Sequence, residues 1–291
     1  MRIGIVGLGI IGSRMAGKWR QAGHEVKGWN RTRSHGEQTG VPLADTPREL
    51  AEWAETVMIV VADPPALDRV VSDADGISRT SLAGRLVMNA STVGAGDNLR
   101  AERAIHAAGG TFLETPFTGS KAGAETGALV FYVGGDPAVL KRAEPQLMQI
   151  GRKIFHFGPV GSAADTKLIM NMMLANLMQA MVEGFVFGAK AGLDMKTFVE
   201  AYKLNAGYSA LADMKIPKMI ERDFSTHFSL KHMDKDVRLA LTRAAELKIA
   251  CPLTERLSGI FGQAMAAGMG DEDFAALYEL AATQAGLKKR G

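Results

Sequence analysis

Cysteine is nearly absent: Cys251 is the single one among 291 residues. No intrachain disulfide can form, which sets the chain apart from secreted scaffolds stapled by paired cysteines and fits a cytoplasmic setting. Cys251 precedes Pro252 among helical patterns and is expected to be buried or inert. Metal spacing is absent too. The six histidines, His24, His35, His106, His156, His227 and His232, form no H-E-x-x-H pair, and one cysteine makes no zinc site. Net charge is only +3, too little to argue for nucleic acid. The longest basic run, Lys288 to Arg290, reads as a solvated end. The apolar start from Ile3 to Ile11 is broken by glycine and too short to span a bilayer, and no secretory pattern precedes it. Nucleic acid, membrane and metal are therefore not expected partners.

What is present is ordinary globular composition, 47% apolar and 22% charged, with length for one large or two moderate domains. "RIGIVG" is a short apolar run ending in glycine, as a buried strand feeding a turn would be. A helical pattern follows from about Ile10 to Ala22 and stops at Gly23. "EVKGW", "TVMIVVA", "RLVMNA" and "GTFLET" repeat the strand theme, with "TPRELAEWA" and "GDNLRAERAIHAA" as helices between them. Such alternation predicts a parallel sheet with helices on both faces. "ALVFYVGG" and "RKIFHFG" around "DPAVLKRAEPQLMQI" add another strand–helix–strand unit. Beyond Ser162 no strand is expected. A long helix runs from about Ala163 to Ala191, followed by helices near Ala212–Glu221, Leu230–Leu247, Pro252–Ala267 and Glu272–Ala282. The reading is an α/β domain, 1–161, followed by an all-α domain, 162–291.

"GLGIIG" is G-x-G-x-x-G, with Gly7, Gly9 and Gly12 around Leu8, Ile10 and Ile11. It follows a predicted strand and opens a helix, the context in which this motif seats a dinucleotide pyrophosphate. A NAD site places an acid about twenty residues onward, on the ribose hydroxyls. Here Asn30, Arg31 and Thr32 occupy that place. An arginine can pair with a 2′-phosphate that an acid would repel, so NADP(H) is favoured over NAD(H). The alternative is that the arginines only solvate a loop.

In "ADTKLIMNMMLANLMQAMVEG" the polar Lys167 and Asn171 are four apart on an apolar helix and share one face. Either Lys167 snorkels near a helix end, or it faces a cleft and moves protons, with Asn171 holding a substrate oxygen. The methionines Met170, Met172, Met173, Met178 and Met181 read as core or subunit interface, as do Phe185 and Phe187. In "TPFTGSKAGAETG", Thr118, Gly119 and Ser120 can turn amides and hydroxyls toward an anion, or form an ordinary loop. Lys235 in "KHMDKD" either reaches a cleft or is an exposed cation.

These residues together resemble the β-hydroxyacid dehydrogenases, which include 3-hydroxyisobutyrate dehydrogenase, tartronate semialdehyde reductase and the glyoxylate/succinic semialdehyde reductases. The resemblance spans nearly the whole chain. "GIVGLGIIGSRMAGKWRQAGHEVKGWNRT" resembles the family's cofactor segment, and "NASTVG" places Ser91 and Thr92 where a Ser-Thr pair lies near the nicotinamide. "FLETPFTGSKAGAETGAL" resembles the substrate loop, and "GPVGSAADTKLIMNMM" the catalytic helix, whose lysine and asparagine match Lys167 and Asn171. "FSLKHMDKD" matches the segment whose lysine, here Lys235, lies beside cofactor and substrate.

The resemblance implies a Rossmann-type N-terminal domain joined by a long helix to a helical domain. It also implies homodimers or homotetramers, and substrates that are small acids bearing a hydroxyl or aldehyde. The loop departs from the family's usual Ser-Gly-Gly or Ser-Gly-Ser in carrying Thr118. "SKAGAETG" is similar to the form in the glyoxylate and succinic semialdehyde reductases, with Gly123 where they carry proline. The expectation is an NADP(H)-dependent reductase of a small aldehyde acid with Lys167 as general acid and base. The alternatives are a 3-hydroxyisobutyrate-type dehydrogenase and a non-catalytic, oligomeric cofactor-binding protein.

Overall fold

The apolar runs of the first half become the strands of one sheet. In the computed structural model, which describes residues 1–287, β1 (Arg2–Val6) lies between β2 (Glu25–Trp29) and β3 (Thr56–Ile59). β4 (Leu86–Asn89) and β5 (Thr111–Glu114) continue the parallel set. The Lys288–Arg290 run lies outside the described residues.

Side chains alternate across the strands, so each strand feeds two cores. Ile3, Ile5, Met58, Met88 and Leu113 pack with Met15 and Trp19 of α1 (Gly12–Gln21). After β2 the chain makes only the short α2 (Arg33–Glu37). Val57, Ile59, Val87 and Phe112 pack on the opposite face with Leu50, Leu67 and Ile105. These come from α3 (Pro47–Trp53), α4 (Pro64–Ser72) and α5 (Ala95–Ala107). The heads of α3 and α4 are set by Thr46 and Asp63, whose side chains accept from the Glu49 and Ala66 amides ahead of helix-starting prolines. Strand order reverses at β1, which has β2 on one side and β3 on the other; open sheets of this kind bind ligands where such a switch occurs.

The sheet is not parallel throughout, as the alternation had predicted. β6 (Phe117–Thr118) and β5 share one register against β7 (Leu129–Gly134): Glu114 faces Gly134, Phe117 faces Phe131, and Thr118 faces Val130. They are one strand interrupted at Pro116, and with β7 they make a hairpin whose loop carries α6 (Ser120–Thr126). A hairpin is antiparallel by construction. β7 then crosses over through α7 (Pro137–Met148) to the parallel β8 (Gly151–Gly158), as expected.

The chain divides into two compact units, Met1–Leu168 and Ile169–Gly291, and the division falls within α8 (Ser162–Lys190). No β-strand follows α8 among the described residues; an isolated bridge joins Ser229 and Asp273. The second unit adds α9 (Met195–Lys203), which the sequence reading did not assign. It continues with α10 (Ala210–Glu221), α11 (Leu230–Glu246), α12 (Pro252–Ala266) and α13 (Leu277–Gln284). α8 is long and apolar enough to cross a membrane by composition alone. Its Ala175, Met178, Val182 and Phe185 instead sit in the core of this unit with Leu211, Met233, Phe261 and Phe274. The methionine seam is split: Met178 and Met181 are buried, Met170 and Met173 exposed. Phe187 is likewise exposed, unlike Phe185. Cys251 is half-buried at the head of α12 rather than enclosed. A buried pair, Lys215 with Asp273 at 2.6 Å, fixes the approach to α11, because Asp273 also accepts from the amides of His227 and Phe228.

Candidate active site

Two positions of the glycine turn after β1 tolerate no side chain. Gly7 has φ +100, and a Cβ there would lie 2.1 Å from the Val60 carbonyl oxygen. A Cβ on Gly12 would lie 1.9 Å from the Gly7 oxygen. Gly9 differs: nothing of the protein lies within 4 Å of its hypothetical Cβ. Its missing side chain leaves room above the turn for a ligand rather than for the fold. The head of α1 has no side-chain cap and no acidic residue in its first turn, so nothing there offsets the positive end of the helix dipole that favours an anion. The residues present thus fit a dinucleotide pyrophosphate.

Asn30, at the end of β2, accepts from the Leu8 amide at 3.0 Å and donates to the Thr32 carbonyl at 2.8 Å, tying the turn to the next loop. Gly7, Leu8, Gly9, Asn30, Arg31 and Thr32 line one groove of about 830 Å³, while Ile10, Ile11 and Gly12 form the head of α1 beside it. His35 and Arg69 line the same groove and were not anticipated. Arg33 is held at 2.6 Å from Asp45 and 3.2 Å from Glu37. Arg31, unlike Arg33, is exposed and has no ion-pair partner among the described residues.

Ser91, just past β4, is buried. Its hydroxyl accepts from the Val61 amide at 2.8 Å, and its own amide donates to Asn89. Its hydroxyl therefore braces the Val61 edge of the groove; Thr92 beside it is half-buried. Thr118, Gly119 and Ser120 are exposed where β6 turns into α6, with φ +125 at Gly119 and +49 at Ser120. A left-handed serine is unusual and marks a loop held in a specific shape. Lys121 turns along α6 toward Glu125, at 3.9 Å, which also binds Arg14 at 2.7 Å.

Lys167 is half-buried in the second turn of α8. The head of that helix is fastened to the sheet by Glu114, the last residue of β5. Glu114 Oε1 accepts from the amides of Gly161 at 2.8 Å and Ala163 at 2.7 Å. Burial raises this carboxyl from its ordinary 4.5 to about 7; the amides of Ala163, Ala164 and Gly161 counteract that rise, and Asp165 adds to it. The unfolded chain therefore releases this proton at lower pH than the folded protein does. The group favours folding least once pH has risen through about 7, and the loss between 4.5 and 7 amounts to at most about 3 kcal/mol. Glu114→Gln is accordingly expected to gain thermal stability relative to wild type between pH 5 and 8, read from paired Tm measurements. A difference independent of pH would mean that burial does not move the carboxyl's titration away from that of the unfolded chain.

In the second unit, Asn171 and Lys235 meet on a residue the sequence reading passed over. Asn171 Nδ2 donates to Asp236 Oδ2 at 2.6 Å, and Lys235 Nζ lies 2.9 Å from Asp236 Oδ1. Asn171 and Asp236 are both buried. A signal was available: Met233, Asp236, Val237 and Ala240 fall on one helical face, which puts an acid in an apolar stripe. Lys235 is thus partnered to a buried acid.

Two family descriptions match the chain. "NAD binding domain of 6-phosphogluconate dehydrogenase" covers residues 2–158, and "NAD-binding of NADP-dependent 3-hydroxyisobutyrate dehydrogenase" covers residues 161–281. Glyoxylate/succinic semialdehyde reductase 1 of Arabidopsis thaliana is 34% identical over 282 residues, spanning 96% of this chain and 98% of the relative. The chloroplastic reductase 2 of the same plant is 33% identical over 280 residues, spanning 95% and 78%. The structure of Mycobacterium tuberculosis 3-hydroxyisobutyrate dehydrogenase with L-serine superposes with a TM-score of 0.86 at 27% identity, covering 96% and 98% of the two chains. With a glycine turn shaped for a dinucleotide and relatives matched along nearly its full length, the chain belongs to the β-hydroxyacid dehydrogenases, the NAD(P)-dependent oxidoreductases that include 3-hydroxyisobutyrate dehydrogenase.

Proposed function

We propose that the protein reduces a small aldehyde acid of the glyoxylate or succinic semialdehyde type to its hydroxy acid, using NADPH. The observation that carries this reading is Lys167: a half-buried lysine on α8, in a chain matched over 96% of its length by a glyoxylate/succinic semialdehyde reductase. The nicotinamide, when bound, supplies the hydride. Lys167, as ammonium, stabilises the charge that grows on the carbonyl oxygen and gives it a proton; as amine it takes the proton back in the reverse direction. Asn171, steadied by Asp236, orients a substrate oxygen. Thr118, Gly119 and Ser120 hold the substrate carboxylate, with Lys235 adding positive field, and Ser91 and Thr92 border the nicotinamide. Assembly into homodimers or homotetramers and a cytoplasmic location belong to the same proposal, on the family resemblance and the single cysteine.

The test is a panel of glyoxylate, succinic semialdehyde and 3-hydroxyisobutyrate with both cofactors in both redox states. The highest kcat/KM is expected for an aldehyde acid with NADPH. A maximum for 3-hydroxyisobutyrate oxidation would favour the second reading, which the likeness to the mycobacterial dehydrogenase supports. The carboxylate is not needed for the chemistry, so its role is positioning, and positioning shows in kcat as well as KM. Succinic semialdehyde should therefore exceed butyraldehyde in kcat/KM by about tenfold for each 1.4 kcal/mol of transition-state binding lost. Asn171→Ala should narrow that gap. Equal rates in wild type would remove the anion pocket and leave a general aldehyde reductase.

A further inference from the structure

Glu114 is a buried acid that the proposed chemistry does not use. It is fully enclosed, and its Oε2 has no hydrogen-bond partner among the described residues. The fold makes room for it: a Cβ on Gly134, the facing position on β7, would come within 2.2 Å of Glu114 Oε1 and 2.9 Å of the Pro159 carbonyl oxygen, so a side chain there would displace the acid. Its other oxygen grips the two amides where α8 begins. Lys167 follows Ala163 by four residues, about 6 Å along the same helix axis. The charged neighbour of Glu114 is Asp165 in the first turn of α8; β7 faces it with Gly134, and residues 161–163 face it with backbone.

We infer that Glu114 is a positioning residue for Lys167: its carboxylate pins the first turn of α8 to the end of β5 and so fixes where the lysine stands. This rests on the reading of Lys167 as the proton donor. A neutral acid or amide would sit more comfortably in this enclosed place. An ionised carboxylate binds the two amides more tightly, because charge-assisted hydrogen bonds are about twice as strong as neutral ones. The charge thus trades fold stability for a firmly placed helix head, a compromise found where activity needs exact geometry.

The decisive variant is Glu114→Gln, which keeps size and one acceptor oxygen but loses the charge. At pH 8 it is expected to raise Tm yet lower kcat about tenfold for the best aldehyde acid of the panel, with KM for NADPH within about twofold. In a Lys167→Ala background the same substitution should change the residual rate by less than about twofold, since its effect passes through the lysine. Glu114→Asp, one methylene short of the amides, should lose at least as much kcat as Glu114→Gln. Wild-type kcat in Glu114→Gln, or an equal loss with and without Lys167, would leave Glu114 as a purely structural acid. If Lys167→Ala itself keeps full activity, the functional reading fails instead, whatever Glu114 does. Amide exchange at Gly161 and Ala163 reads the tie without any substrate: faster exchange in the more stable Glu114→Gln supports it, and unchanged exchange overturns it.

Discussion

Lys167→Ala is expected to lower kcat with the preferred aldehyde acid by about 10²–10⁴, the usual worth of a positioned proton donor, while NADPH binding stays within a few-fold. The two effects separate because the groove that fits the dinucleotide is built from the β1 turn and the loops after β2 and β3, and Lys167 is not among its lining residues. On the proposed role, removing the amine takes away the proton and the positive charge at the oxygen that becomes negative, and both would act in the transition state rather than in cofactor binding. Lys167→Arg sharpens the test. Guanidinium keeps the charge but does not give up its proton near neutral pH, so it should recover little of the lost rate. Single-turnover reduction monitored by NADPH absorbance, with NADPH affinity from fluorescence titration, measures the two quantities independently. A nearly unchanged kcat would make Lys167 a helix-surface residue and require another proton donor.

The cofactor half of this protein was legible because its signals are local. A strand, three glycines and a helix start lie within the first 21 residues, and the absence of an acid at the end of β2 is a feature of three adjacent positions. The helical half was legible where apolar periodicity was long, as in α8 and α11. α9 escaped although its apolar stripe is regular: Met195, Phe198, Val199 and Tyr202 recur at helical spacing and pack half-buried on the core of this unit, but the helix is only nine residues long and none of its residues is fully buried. The β5–β6–β7 hairpin escaped for a different reason. Pro116 splits one strand into two short pieces, and only the shared register against β7 shows that they are continuous. Glu114 and Asp236 were hidden by distance. Glu114 reads as the polar end of a strand until the amides 47 and 49 residues later close on it. Asp236 reads as one more charge in "KHMDKD" until Asn171, 65 residues earlier, is found donating to it. In both cases the sequence shows an acid and the fold supplies the reason for it.

Arg31→Ala should raise KM for NADPH by about 10- to 100-fold and leave KM for NADH within about twofold, since one charge-assisted contact to a phosphate is worth roughly 1.5–3 kcal/mol. The choice of Arg31 over Arg33 is structural. Arg33 is already committed to Asp45 and Glu37, so Arg33→Ala would chiefly loosen the loop and should affect both cofactors alike. Arg31 lines the groove beside Asn30 and Thr32 without an ion-pair partner among the described residues. Asn30→Asp completes the argument from the opposite direction. The aspartate preserves the acceptor that holds the Leu8 amide, so the glycine turn should keep its shape. It also places a negative charge where the 2′-phosphate would arrive, and an acid there can bind the ribose hydroxyls of NADH instead. Its NADPH-to-NADH ratio of kcat/KM should fall well below that of wild type, and the double variant with Arg31→Ala should fall further. The measurement is kcat/KM for each cofactor at saturating aldehyde acid, in all four proteins. If Arg31→Ala weakens NADPH and NADH equally, the arginine serves the loop and not the phosphate, and the missing acid at the end of β2 has some other cause.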